Sequence, residues 1–323
     1  MTIEVGPLRS EHLEDAAAMV NERYRALRRE VASLPAQYEE RSTILPLLSD
    51  LAQRSPGVVA LDGGLLVGFL LGLVLPDFRG KRAAYSPEWA NATLANDSWE
   101  IYRQMYAHLS ARWVADGCLT HLVTLLAHDG EGIGAWQWME FGLAAVDAIR
   151  DLTPMPKVAS DVTIRRAQLN DIDQVMRLTD ALWAHLSSPP ICIPPSEEST
   201  RHYQEEWLAN PDNVLWLAGY GAEDVACMGL GPPDPTACYI IRDEKTTSIH
   251  TAFTRESMRE RGLGTALLSH SLDWARTTGY ERCAVYFEAH NIAGARFWLR
   301  HFQPICFWLI RHIDAGIRAD IAD

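Results

Sequence analysis

The sequence predicts an α/β protein built of two tandem units, each a mixed sheet with helices on both faces. Three observations carry this expectation. A β-branched stretch at 247–253 runs into a glycine turn and then an amphipathic helix. Strand-like and helix-like patterns alternate along the whole chain. The pattern also repeats itself at a nearly constant offset of 160–161 residues.

In the first copy, Thr2 to Leu8 reads as a short strand with a polar cap, leading into a helix from Glu11 to about Glu30. Val58 to Phe69 reads as a hairpin turned at glycine. Trp89 to Leu94 reads as a strand, and a helix from Trp99 to Asp116 sets Tyr102, Met105, Tyr106, Leu109 and Trp113 on one face for the core. Two prolines in Asp151 to Ser160 break the periodicity, so the predicted domains are 1–152 and 160–323.

The second copy restarts at Thr163 to Leu169, 161 positions after Thr2, with a helix from Asn170 to about Leu186. A Pro-rich loop, Ser187 to Ser196, precedes an acidic helix from Glu197 to Ala209. Val214 to Gly229 repeats the glycine-turned hairpin, with its second strand near Val225 to Leu230. Strands at Thr247 to Phe253 and Arg282 to Glu288 flank a helix on which Leu263, Leu267, Leu268, Leu272 and Ala275 recur until Gly279. Last comes an Asn-capped helix, Asn291 to Phe302, in which Gly294 to Trp298 aligns without gaps on Gly134 to Trp138.

The segment Arg259-Glu260-Arg261-Gly262-Leu263-Gly264-Thr265-Ala266 is the most informative stretch. A glycine loop feeding a helix N-terminus directs several backbone N–H groups outward with the positive end of the helix dipole behind them, which suits a diphosphate. Gly262 and Gly264 permit close backbone approach, and Arg259 and Arg261 can add charge-assisted bonds. It is not a Walker loop, for no Gly-Lys-Ser/Thr follows, and Leu267 occupies the third glycine position of a dinucleotide fingerprint.

At these residues the chain resembles the GNAT N-acetyltransferase superfamily. Arg259-x-x-Gly262-x-Gly264 is similar to that family's acetyl-CoA diphosphate loop. Asn291, twenty-seven residues after Gly264, is similar to the Asn opening its second cofactor motif, with Phe297 and Phe302 at that motif's aromatic positions. The resemblance implies two tandem GNAT-like acyl-CoA N-acyltransferase domains, acetyl-CoA as co-substrate, and a cofactor set of Ala252, Phe253, Thr254, Arg259 to Ala266, Asn291, Ala295, Phe297 and Trp298. It also implies two parallel strands that splay apart, so that a backbone N–H in the gap polarises the thioester carbonyl. Trp298 replaces the Tyr that often serves as general acid, and an indole N–H does not titrate usefully. The first copy carries Ala95-Asn-Asp-Ser98 where the loop should stand, so it is expected to be degenerate and to bind no acetyl-CoA.

The formal charge of −13 argues against nucleic acid and anionic membranes as partners and is compatible with a cationic, small-molecule amine substrate. The longest apolar run, Leu65 to Leu75, is too short to span a bilayer. With no secretion signal and six scattered cysteines, a cytoplasmic protein with buried thiols is expected, without metal; a homodimer is compatible with the sequence. Glu288, at the end of its strand, is the first choice for general base and His250 the second, with Tyr286 on the face of Glu288 as a potential acid. The resemblance implies that the segment carrying Glu198, Glu205 and Glu206 lines the acceptor site, where they would meet an amine; the alternative, which the charge pattern favours, is a solvated helix face. His121, His128 and Asp129 are read as structural. The function expected is acetyl-CoA-dependent N-acetylation of a small amine in the C-terminal copy; the alternative is a non-catalytic acyl-CoA-binding protein or sensor.

Overall fold

Glycines decide how the first sheet turns and what it packs against. The computed structural model describes residues 3–94, 98–156, 162–220 and 223–317. β1 (Ile3–Pro7) leads into α1 (Leu13–Glu30) and α2 (Arg41–Arg54), and then into a hairpin of β2 (Gly57–Asp62) and β3 (Leu65–Leu71). Gly63 and Gly64 make that turn with φ of 56° and 86°, a conformation that carries no steric cost only for glycine. β4 (Leu73–Phe78) and β5 (Lys81–Ser86) form a second hairpin, followed by β6 (Asn91–Thr93), shorter than the predicted strand, and α3 (Ser98–Ala115). β7 (Thr120–Leu126), α4 (Gly130–Trp138) and β8 (Gly142–Asp151) follow.

β1, β2, β3 and β6 form an antiparallel sheet, and β5 pairs with β7 in parallel. The face of α3 that periodicity predicts is buried: Tyr102, Met105, Tyr106, Leu109 and Trp113 all enter the core. The glycines of the apolar run make room for this helix. A Cβ on Gly68 would come within 2.5 Å of Ile101, and one on Gly72 within 2.4 Å of Trp113.

The second unit repeats the order. β9 (Thr163–Arg166), α5 (Ile172–Ser187), α6 (Arg201–Ala209), β10 (Val214–Tyr220) and β11 (Glu223–Gly231) lead to β12 (Thr246–Thr254). Then come α7 (Leu263–Thr278), β13 (Arg282–Glu288) and α8 (Ile292–His301). β9 to β12 pair antiparallel in chain order, and β13 adds to β12 in parallel. α7 buries Leu263, Leu267, Leu268, Leu272 and Ala275 and ends on Gly279 at φ 102°.

The last strand, β14 (Gln303–His312), pairs antiparallel with β7, from Cys306↔Leu126 to His312↔Thr120. Unit 1 therefore comprises the chain up to Val146, Cys238–Ile240 and the residues from Pro304 onward; unit 2 comprises Asp147–Ala237 and Ile241–Gln303. The sequence places the division at 152–160, whereas the compact units change over within β8, and the end of the chain returns to unit 1. β7 is buried at all seven positions, so both of its faces are covered, and it pairs with β5 on one edge and β14 on the other, neither of which its own pattern names.

The internal repeat is present, but in α4 and α8 its register differs from the sequence alignment. Asp129 caps α4 by accepting from Gly132 N, and Asn291 caps α8 by accepting from Gly294 N, which fixes an offset of 162. Each glycine is demanded by its cap: a Cβ would meet Asp129 Oδ2 at 2.1 Å in one unit and Asn291 Nδ2 at 2.8 Å in the other. Trp136, not Trp138, therefore corresponds to Trp298; Trp136 is fully buried whereas Trp138 is 78% exposed. Five cysteines are buried as expected, but Cys192 is exposed, in a left-handed turn at φ 55°.

Candidate active site

β12 and β13 are in parallel register from Thr246↔Arg282 to Ile249↔Val285, and then part. Both strands continue, to Thr254 and Glu288, while β12 stays paired with β11 as far as Ala226↔Thr254. A bulge marks the point of divergence. Gly229 pairs with Thr251 and Leu230 with Ile249, so His250 is the extra residue on β12. Bulges bend a strand and re-aim a side chain, and this one does so where the two strands separate. The gap so formed is bounded by Thr251, Ala252, Phe253 and Thr254 on one strand and by Tyr286 and Glu288 on the other.

The mouth of the gap is the turn before α7. Glu260 and Gly262 both take positive φ, 63° and 80°, and Gly262 is the N-cap with no side-chain cap bond. The first helical hydrogen bond runs from Ala266 N to Gly262 O, so the N–H groups ahead of Ala266 lie outside the helical ladder. Gly264 faces α8, where an added Cβ would stand 3.3 Å from the Phe297 ring. Arg261 is exposed, but Arg259 is not extended toward the loop. Its Nε donates to Thr254 O at 3.2 Å and its guanidinium lies 6.0 Å from the centroid of Phe253.

On α8, Ala295 N donates to Asn291 O at 2.7 Å, and Asn291 N donates in turn to Glu288 O at 3.1 Å. Asn291 thereby ties the end of β13 to the start of α8. Trp298 is a buried residue of α8. It is 8% exposed and packs edge-on against Phe297 and Phe302, with centroids 4.8 and 5.6 Å away.

His250 is held from both sides of its ring. Nε2 lies 2.8 Å from Pro232 O, Nδ1 lies 3.6 Å from Asp234 Oδ2, and the ring sits 4.7 Å from that of Trp207. Trp207 in turn stacks near Tyr203 and lies over β11, where a Cβ on Gly231 would come within 3.2 Å of its ring. Desolvation by nearby protein and then the Asp234 carboxylate raise the pKa of Glu198, although by surface area the residue is exposed. Burial, then Glu198, Asp234 and Glu197, push the Tyr203 hydroxyl up to about 12. Glu198, Asp234, Tyr203, Trp207 and His250 thus form an acidic, aromatic wall. Of the three glutamates expected to meet an amine, only Glu198 joins it; Glu205 lies 3.8 Å from Arg201 and Glu206 3.4 Å from His202. Asp234 and Trp207 were not legible in the sequence, the sole hint being the Pro-Pro-Asp-Pro loop at 232–235.

Unit 1 has the same divergence but fills it. β5 pairs with β7 from Ala83↔Thr120 to Ser86↔Val123 and then stops, and β6 resumes beside β3. The buried amide of Asn91 occupies the separation: Nδ2 donates to Thr124 O at 3.1 Å and to Pro87 O at 2.9 Å, and Oδ1 accepts from Tyr102 OH at 3.1 Å. Arg23 bonds Tyr102 and ion-pairs with Asp129. Residues 95–97, expected in place of a phosphate loop, lie outside the described residues; Ser98 opens α3. His121 is buried between Tyr106 OH and Cys118 O, and His128 and Asp129 join no metal-binding cluster among the described residues.

Residues 178–302 match the Acetyltransferase (GNAT) family. The second unit is a GNAT domain. The fold likeness reaches beyond it. A GCN5-related N-acetyltransferase from Sphaerobacter thermophilus aligns over 98% of this chain and 97% of its own, at 13% identity and a TM-score of 0.61. A GCN5-related glucosamine N-acetyltransferase region of a fungal multi-domain GH3 beta-N-acetylglucosaminidase aligns over 96% of this chain and 38% of its own, at 14% identity and a TM-score of 0.54. At such identities the likeness is one of fold, and it extends over both units. No curated protein matches the chain. No helix among the described residues is long and apolar enough to cross a membrane.

Proposed function

We propose that this protein is an acetyl-CoA-dependent N-acetyltransferase of a small amine, with its chemistry in the second unit. The observation that carries the reading is the gap between β12 and β13, which opens after Ile249↔Val285 and leads to the uncapped start of α7. Acetyl-CoA is long and thin, with its diphosphate set apart from the reacting thioester carbon by the pantetheine arm. A strand gap offers unspent backbone donors to the carbonyl, and a helix N-terminus at its mouth offers them to the diphosphate. Gly262 and Gly264 let the backbone of the loop come close to the diphosphate, while Phe297 packs beneath Gly264. Asn291 ties the start of α8 to the end of β13 through Glu288 O.

The acceptor enters from the wall of Glu198, Asp234, Tyr203, Trp207 and His250. Carboxylates beside aromatic faces favour a cationic amine by Coulomb attraction and cation–π contact. The amine must lose a proton before it attacks. Glu288 at the end of β13 takes that role, through water, because His250 is engaged with Pro232 and faces Asp234. Departure of the thiolate relies on solvent, since Trp298 is in the core, or on Tyr286, which shares the face of Glu288. Incubation with acetyl-CoA and a panel of amines, following free thiol, tests the reading. Thiol release that depends on an amine supports it; tight acetyl-CoA binding with no release for any amine favours an acyl-CoA sensor.

A further inference from the structure

The acidic, aromatic wall beside the strand gap carries more negative charge than acetylation of a single amine needs. The nitrogen that attacks must be neutral, and a carboxylate left beside it works against the step by stabilising the ammonium form. Glu198 and Asp234 are two such groups, close enough for Asp234 to raise the pKa of Glu198. No arginine or lysine forms an ion pair with either among the described residues. Arg242 Nη2 donates to Pro235 O instead, at 2.7 Å. Nor does a neutral His250 supply the charge. Pro232 O can only accept, so His250 Nε2, 2.8 Å away, carries the ring hydrogen. Nδ1 then presents a lone pair to Asp234 Oδ2 at 3.6 Å. Two acceptors face each other across that space, and an N–H donor from outside satisfies both. The side chains of His250 and Asp234 are 15% and 22% exposed, so the space is reachable yet partly desolvated, which strengthens a charge contact there. The Trp207 ring lies 4.7 Å from that of His250, and Tyr203 follows one turn away at 6.4 Å from Trp207, with rings 19° from parallel. Aromatic faces beside carboxylates hold a group that stays cationic.

We propose that the acceptor is a dication: a small molecule with two amino groups, one acetylated in the strand gap and the other held as an ammonium by Asp234, Glu198 and the Trp207 face. The inference rests on the N-acetyltransferase reading above and deepens it. The attacking nitrogen loses its proton to Glu288 and forms the amide bond, while the thioester C–S bond breaks and CoA leaves as the thiol. The second nitrogen exchanges nothing, so the carboxylates around it do not oppose the step. Its place also sets a length. Ala252 and Phe253, in the middle of the gap, lie two and three residues beyond His250 on β12. At the rise of a strand that is roughly 7–10 Å, the reach of an extended chain of about six to eight bonds between the two nitrogens.

Steady-state kinetics of the full chain with acetyl-CoA, following free thiol, test this on linear primary monoamines and α,ω-diamines of matched length. The wild type should favour the diamine in kcat/KM by on the order of tenfold or more, the worth of one charge-assisted contact, chiefly through KM. The preference should peak at intermediate chain length and shrink with salt. Asp234→Asn and Glu198→Gln should each bring diamine and monoamine to within about threefold. Asn keeps the Oδ1 that accepts from Thr236 N and Oγ1, so the turn at 234–236 is retained, and unliganded melting temperatures verify that both variants fold. Equal turnover of monoamine and diamine by the wild type overturns the dication while leaving acetyl transfer intact. A diamine preference undiminished in both variants also overturns it. So does an NMR titration that finds His250 doubly protonated at neutral pH, because the ring's own proton would then occupy the space facing Asp234. Failure to acetylate any amine overturns this proposal and the functional reading together.

Discussion

His185 Nε2 lies 3.4 Å from Asn291 Oδ1, and 162 residues earlier the same two positions are Arg23 and Asp129, an ion pair. One contact between the first helix and the cap of the last is thus built twice. In the second unit it is a single long hydrogen bond beside an open gap; in the first it is a charged pair bonded also to Tyr102, which holds Asn91 in the filled gap. With side chains only 16% and 12% exposed, Arg23 and Asp129 depend on each other for compensation. Arg23→Ala should therefore destabilise unit 1 by roughly 3–5 kcal/mol, the cost of stranding one member of a buried pair. Arg23→His combined with Asp129→Asn, which copies the second unit, should restore most of it. Denaturant titration checks this, and a loss below about 0.5 kcal/mol, typical of a surface site, would show that the pair holds nothing together.

Filling of the first gap sets a stoichiometry. Calorimetry should find one CoA per chain; two would contradict the role given to Asn91.

At the loop, Gly264→Leu should abolish measurable acetyl-CoA binding. Its side chain must stand where the backbone approaches the diphosphate or press on Phe297, 3.3 Å from the new Cβ. Arg259→Ala should weaken binding less, because its Nε is already given to Thr254 O. Unchanged affinity in Gly264→Leu would remove the diphosphate from α7.

Glu288→Gln keeps the shape of the side chain and removes the proton acceptor. The value of kcat/KM should fall by roughly 10²–10⁴-fold, the range of a lost general base, with acetyl-CoA affinity unaltered. Raising the pH should recover part of the rate, because the amine then arrives neutral. Normal turnover by Glu288→Gln together with an inactive His250→Ala would transfer the role to the bulge histidine.

Stability should carry the mark of His121. Burial lowers its pKa from 6.5 to about 4 in the folded protein, while Tyr106 and Cys118 hold the neutral ring. A depressed folded pKa means that the unfolded chain takes up the proton first. The contribution is complete above pH 6.5, is lost as pH falls toward 4, and amounts to about 3 kcal/mol. Melting curves across that window should show the loss, and His121→Gln should flatten it; an acid limb of equal slope in the variant would assign the effect elsewhere.

The sequence by itself determined the elements and the cofactor end of the site. The glycines at 262, 264 and 279, the leucine spacing between them and the Asn291 cap are local signals, because each fixes backbone conformation within one turn. They gave α7 and α8 to within a residue or two, and with them the family. The repeat was legible too, though its register in α4 and α8 needed the caps of Asp129 and Asn291 to be seen. What only the tertiary structure decided lies between elements distant in the chain. The divergence of β12 from β13 arises from a bulge that makes His250 the unpaired residue, and no periodicity in β12 announces it. Asp234 and Trp207 reach His250 from separate segments, and Arg150 reaches His301 across 151 residues. Asn91 closes the first gap from a strand of three residues. β14 completes the pairing of β7 from the far end of the chain, because strand pairing follows which edge is open in space and not which segment comes next.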